Sequence, residues 1–221
     1  FDGIVSSGHY SLIALGGFSE NRIEDASFTN SSGQSGLGGA DVTIERSRFV
    51  DIDVVEHVLL LPNTDSVLTD VYLEQEDGGA LRTYDGSLTM ERVQAFGGTL
   101  SLSGAVTVRG SVFGLVDASP ASAHIEITDG LVDIESSAVL ASRQMGGAGV
   151  NPVFVVNNGI LTLSNTVVAD QPFDSGAVMA VYNPSGFDVT FATCAADRLD
   201  DAFVNIAPEQ QLGCPSGTDW C

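Results

Sequence analysis

Lysine is absent from this sequence. All 8 basic residues are arginine, set against 29 Asp and Glu, so the formal net charge is −21 over 221 residues. Without a basic footprint the chain cannot neutralise phosphates, which excludes nucleic-acid binding. An anionic bilayer would repel it as well. No apolar run approaches the ~18 residues of a membrane span, so no membrane insertion by this chain is expected. Aromatic residues are few, at 7%, with one Trp. Cysteine is scarce and confined to Cys194, Cys214 and Cys221. None of the three has the paired spacing of a zinc site. An odd count gathered near one end suggests one bridge and one buried thiol, formed in an oxidising compartment. A first residue that is Phe1 and not Met reads as a mature or excised piece of a longer precursor. An extracellular or cell-surface location is therefore expected.

What the chain does have is a strand-and-turn vocabulary. There are 25 glycines, and Val, Ile, Thr and Ser dominate the rest. With 43% hydrophobic and 17% charged residues it is not a disordered composition.

One pattern recurs: an apolar residue, a spacer, an apolar residue, two spacers, a small or β-branched residue, a spacer, then an apolar residue. Val42, Ile44, Ser47 and Phe49 are one copy, and Val106, Val108, Ser111 and Phe113 another. Copies begin at residues 21, 42, 66, 88, 106, 132, 161 and 189, on average 24 residues apart. Alternation sets the first two residues on one face of a strand. The double spacer bends the chain, and alternation resumes on a second strand. A third strand precedes each corner, as in Ser11–Leu15, His57–Leu61, Thr99–Leu102 and the segments 124–127, 152–156 and 177–181. Gly-bearing turns such as Asp85-Gly86, Asp129-Gly130 and Asn158-Gly159 join it to the corner. One copy is too small to bury its own apolar face, but stacking copies builds a continuous core.

The expected fold is all-β: a right-handed parallel β-helix of eight to nine rungs, three strands per rung, with almost no helix. It would occupy residues 1–206, with 207–221 as a Pro- and Cys-bearing cap or tail. The predicted bridge is Cys214–Cys221, with Cys194 reduced in the inward third slot of its copy; Cys194–Cys214 is the alternative pairing.

On this repeat the chain resembles the parallel β-helix repeat proteins of bacterial surfaces, in the broad pectin-lyase-like superfamily. It is also similar to the polymorphic outer-membrane protein repeats at Gly78-Gly79-Ala80-Leu81, which fits their Gly-Gly-Ala-aliphatic signature. Gly38-Gly39-Ala40-Asp41 fits it less well, and Phe28-Thr29-Asn30 is one residue shorter than the accompanying Phe-x-x-Asn. The resemblance implies a solenoid of the bacterial surface, or else a coil acting on polysaccharides. Lyases of the superfamily abstract a proton with Lys or Arg, and its hydrolases use clustered Asp.

The residues point away from catalysis. Second spacers of the first four copies read Asp25, Arg46, Asp70, Arg92, and first spacers of the fourth to sixth read Glu91, Arg109, Glu135. Stacking would turn both columns into ladders of alternating sign, which penalise a slipped register. Asn63-Thr64-Asp65 matches the first hydrolase motif, but the other motifs are missing. His9, His57 and His124 have no visible catalytic partners. No catalytic residue and no bound cofactor are expected.

Other candidates are a calcium patch and a threonine face. Asp51, Asp53, Glu56, Glu74, Glu76 and Asp77 follow two successive corners, where Ca²⁺ would find oxygen ligands. The middle spacers read Arg22, Thr43, Val67, Thr89, Thr107, Asp133, Thr162 and Thr190. Such columns serve ice binding in some solenoids, though there with two Thr per rung. The function expected is a non-enzymatic extracellular structural or adhesive solenoid, such as a filament or surface-fibre subunit. Its partners would be further copies added end to end, or other surface proteins. The alternative is a polysaccharide-binding or polysaccharide-degrading coil, and a third is ice binding.

Overall fold

A computed structural model describes residues 11–15, 21–33, 35–39, 41–54, 56–61, 64–75, 79–117, 125–143, 154–170, 181–182, 189–192, 195–196 and 203–204. These residues form a parallel β-solenoid with three sheets, and no helix occurs among them. Sheet 1 is nine-stranded and runs from Ser11–Leu15 to Phe203–Val204. Sheet 2 is eight-stranded, from Asn21–Glu24 to Val189–Ala192. Sheet 3 is eight-stranded, from Ser27–Gly33 to Ala195–Ala196. Every strand pairs with the strand three places further along the chain, the order a coil of three-strand turns requires.

The rung count needs correcting. About four turns (79–96, 99–117, 125–143 and 154–170) can be followed without a break through all three strands. Eight to nine were expected. The repeat counts corners, and corners recur even where the connecting segments fall outside the described residues.

Register explains the core. In sheet 2, Val106 sits beside Leu88 and Val132, and Val108 beside Met90 and Ile134. In sheet 1, Leu37, Leu59, Leu81, Leu100, Ile125 and Phe154 fall on one column. All of these are buried. Like residues stack on like because neighbouring rungs lie about 4.8 Å apart in exact lateral pairing. Phe28 and Phe49 do so face to face, with ring centroids 4.7 Å apart.

Two of the three corners in a turn have a recurring backbone geometry. Between sheets 2 and 3 the second spacer takes a left-handed conformation: φ is 53° at Asp25, 47° at Arg46, 55° at Asp70, 53° at Arg92, 56° at Gly110, 51° at Ser136 and 48° at Asn165. Its N–H donates to the next rung, as Arg92 does to the Arg109 carbonyl at 3.0 Å. Two residues on, the chain donates to the previous rung, as Gln94 does to the Val71 carbonyl at 2.8 Å. The N–H at the inward third slot needs another acceptor, and a serine on the next rung supplies it. Val93 donates to Ser111 Oγ at 3.0 Å, and Ser111 Oγ donates to its own Arg109 carbonyl at 3.0 Å. Ser47 and Ser137 repeat the device for Ala26 and Ser111. A buried serine costs little under these terms, because its donor and acceptor are both satisfied.

Between sheets 1 and 2 the turn is a column of glycines, Gly86, Gly104, Gly130 and Gly159. A Cβ on Gly130 would lie 2.1 Å from the Gly104 carbonyl oxygen. Only glycine lets successive turns approach so closely.

Candidate functional site

The corner ladder is built by the left-handed residues. Arg46 holds Asp25 with two prongs, Nε to Oδ1 at 2.8 Å and Nη2 to Oδ2 at 3.1 Å. Arg92 holds Asp70 in the same way, at 2.6 and 2.9 Å. Hydrogen bonds from the guanidinium, and then its charge, keep Asp25 and Asp70 below the usual carboxylate range. Asp70 also feels Arg46 through space. The second column is less regular. Arg109 Nε meets Glu135 Oε2 at 3.2 Å, but Glu91 is held by its chain neighbour Arg92 at 3.6 Å.

Around the first rungs a wider network forms that the spacer columns did not show. Arg46 also contacts Glu24, and its Nη1 reaches Glu45 Oε2 at 3.3 Å. Arg22 bridges Glu24 at 3.1 Å and Glu45 at 3.0 Å. Arg22 stands on the middle position of sheet 2, one column from the glutamates, so its role emerges only when the strand is laid flat against its neighbour.

Asp51, Asp53 and Glu56 are exposed. Glu74 accepts the Tyr72 hydroxyl at 2.8 Å. Glu76 and Asp77 lie outside the described residues. No group of three or more metal-type ligands occurs among the described residues. The threonine column is continuous in register from Arg22 to Thr190. It is interrupted on the surface by Val67 and Asp133, both exposed. Asp65 of the hydrolase-like tripeptide accepts Ser87 Oγ at 2.7 Å, and its N–H donates to Asp41 Oδ1 at 3.2 Å. These bonds run along the coil from turn to turn.

Of the histidines, His57 is described and His9 and His124 are not. The His57 ring lies over Gly79 of the next rung, where a Cβ would come within 2.1 Å of it. Its Nδ1 is buried without a hydrogen-bond partner. Burial, then the positive charge of Arg82, pushes its pKa down to about 4. Cys194, Cys214 and Cys221 also lie outside the described residues.

Sheet 3 brings together residues that loop-by-loop reading missed. Tyr72 and Phe96 sit on neighbouring outward columns with ring centroids 5.7 Å apart and a 42° tilt. Arg48, Tyr72 and Gln94 share one register column, and Val50, Glu74 and Phe96 the other. On sheet 1, Arg82 of the strand Gly79–Thr83 lies over the Tyr84 ring at 4.7 Å.

No family model matches the chain, and neither a curated protein nor a solved structure is significantly similar to it.

Proposed function

We propose that the chain is a non-enzymatic extracellular solenoid with a structural or adhesive role, a filament or surface-fibre subunit of the kind its resemblance to the pectin-lyase-like surface proteins implies. The observation that carries this reading is where five of the eight arginines go. Arg22, Arg46, Arg92 and Arg109 are each bonded to carboxylates of the coil itself. Arg82 is taken up by a tyrosine ring. A lyase base in a chain without lysine would have to be an arginine, and one locked into rung-to-rung pairing is poorly placed to take a proton. The pairing instead favours one register between turns, which is a mechanical service.

Copies would add end to end, extending the sheets from one molecule to the next. The charge of −21 opposes this, so Ca²⁺ and salt would promote it, with Asp51, Asp53, Glu56, Glu74, Glu76 and Asp77 as cation-attracting residues. A second reading, a polysaccharide-binding coil, is favoured by the Tyr72–Phe96 pair with Glu74 and Gln94 beside it. Aromatic rings can stack on sugar faces while amide and carboxylate groups meet hydroxyls.

Electron microscopy and light scattering of the full chain, with and without millimolar Ca²⁺, test the first reading: fibres that lengthen with cation are expected. A strict monomer under all conditions removes the filament. Release of unsaturated sugars from pectin or alginate removes the non-enzymatic reading.

A further inference from the structure

The outer face of sheet 3 brings two aromatic rings and a carboxylate together. Tyr72 and Glu74 point outward on either side of the buried Leu73, and Gln94 and Phe96 do the same around the buried Ala95. Register sets Gln94 beside Tyr72 and Phe96 beside Glu74, so the four side chains occupy the corners of a square with the rings on one diagonal. Both rings are held down. The Tyr72 hydroxyl donates to Glu74 Oε2 at 2.8 Å, which lays that ring along its strand towards the carboxylate. The Phe96 ring lies across Gly114 of the next turn, where a Cβ would come within 2.6 Å of it. The ring centroids are 5.7 Å apart at a 42° tilt, and both residues are half-buried, so each ring keeps an accessible side.

We infer that this cluster binds a trimethylammonium group, as choline and its derivatives carry. An aromatic face attracts positive charge through its quadrupole, over a reach of about 6 Å from the ring centroid. Centroids 5.7 Å apart therefore let one cation touch both rings. The Glu74 carboxylate beside them supplies a counter-charge, and the tyrosine fixes its position before any ligand arrives. The net charge of −21 raises the concentration of cations around the chain and lowers that of anions. A primary ammonium is strongly hydrated and needs several acceptors to replace its water. The cluster offers one carboxylate. A methylated ammonium is wrapped in carbon and gives up its water cheaply, so two ring faces suit it.

Within the fold the same attraction is already satisfied once, where Arg82 lies over the Tyr84 ring at 4.7 Å. That ring is taken, whereas the Tyr72–Phe96 pair is not covered by a side-chain cation. The opposing charge is Arg48, in register with Tyr72 on the previous turn. Its strand lies on the side of Tyr72 away from Phe96, one turn further from the cation, where the guanidinium could meet a phosphate ester of the same base. This role goes beyond the filament reading, which concerns the ends of the coil, and it competes with a sugar for the same two rings.

An NMR titration of the full chain with choline chloride tests this. Binding is expected with a Kd on the order of millimolar, weakening as salt rises, because exposed cation–π contacts and one screened ion pair each contribute little. Phe96→Leu keeps apolar bulk without a π face and should weaken binding roughly two- to fivefold. Glu74→Gln still accepts the Tyr72 hydroxyl but carries no charge, so it should weaken binding and flatten the salt dependence. Tyr84→Leu should change nothing, and circular dichroism should show all these variants folded. A chain that does not bind choline overturns the inference. So does equal binding of choline's neutral isostere, with tert-butyl in place of trimethylammonium, because the cluster is then an apolar surface only. Binding of neutral gluco-oligosaccharides without choline overturns it too and gives the rings to the sugar reading. Phosphocholine identifies the source: binding tighter than choline that is lost in Arg48→Gln marks a phosphate ester, and weaker binding marks the free base.

Discussion

Arg92 and Asp70 form a two-pronged ion pair between successive turns, Nε to Oδ1 at 2.6 Å and Nη2 to Oδ2 at 2.9 Å, and both residues are left-handed, with φ of 53° and 55°. The shared backbone conformation matters as much as the charges. It throws both side chains off the corner in the same direction, so that a planar guanidinium meets a carboxylate one turn below. Asp25 and Arg46 repeat the relationship.

Reversing one charge should therefore act through register. Arg46→Glu would set a carboxylate between Asp25 and Asp70 and beside Glu24 and Glu45. The melting temperature is expected to fall at low ionic strength and to recover largely in high salt, because the pairs are exposed and screened. Thermal melts at several salt concentrations check this. A loss that ignores salt would mean the arginine acts by packing its stem and not by charge.

The serines of the inward third slot carry a different load. Ser111 Oγ accepts from the Val93 N–H and donates to the Arg109 carbonyl, and its residue is 1% exposed. Ser111→Ala leaves a buried N–H without an acceptor, at an expected cost of about 1–3 kcal/mol. Ser111→Thr, which keeps the hydroxyl as Thr166 does in the same slot, should cost less. Urea unfolding of the two variants checks the order; equal losses would show that slot volume governs.

Much of this coil was legible because its core speaks in fixed spacings. The apolar pair at Val106 and Val108, the bend, and Phe113 after it can be read off directly. The third strand was legible only where alternation survives. Ser35–Gly39 and Gly79–Thr83 were missed because glycine breaks the apolar alternation in both. The reason lies on the neighbouring turn: a Cβ at Gly36 would lie 2.5 Å from the Val58 carbonyl oxygen, and one at Gly79 would strike the His57 ring. Left-handed corners were half visible, since Asp25, Asp70, Gly110 and Asn165 tolerate that conformation. Arg46 and Arg92 hid the rule, as arginine has no such preference. The Tyr72–Phe96 pair could not be seen in the loops because it stands on strands, 24 residues apart in sequence and one turn apart in space.

The two glycine sites offer a controlled comparison. At Gly110 an added Cβ would meet only the Arg92 side chain, at 3.8 Å, so Gly110→Ala incurs the left-handed backbone cost alone, about 1 kcal/mol. At Gly130 the Cβ would also collide with the Gly104 carbonyl oxygen at 2.1 Å, and backbone cannot yield cheaply. Gly130→Ala is expected to cost several-fold more or to abolish folding. Denaturant midpoints of both variants decide it; equal costs would mean that the turn column can spread.

His57 predicts how stability responds to pH. Its ring is largely buried against Gly79 with Nδ1 unpartnered, and burial followed by the charge of Arg82 lowers its pKa from the ordinary 6.5 to about 4, although Glu56 pulls the other way. A group with a depressed basic pKa binds fewer protons folded than unfolded. Between about 4 and 6.5 the unfolded chain takes up the proton that the folded chain refuses, so stability rises with pH through that window. The contribution is fully present above 6.5 and is lost as pH falls towards 4. Asp25 and Asp70 act in a separate range: their pKa values lie below 3.8, so their share survives until the pH falls below that value. His57→Phe keeps a flat ring over Gly79 but cannot titrate. Urea midpoints measured from neutral pH down to pH 4 should fall more steeply for the wild type than for this variant, and the two curves should run parallel above pH 7. Parallel curves throughout would mean that the His57 ring takes up its proton equally well in the folded chain, and that the acid sensitivity of the coil resides in its carboxylates.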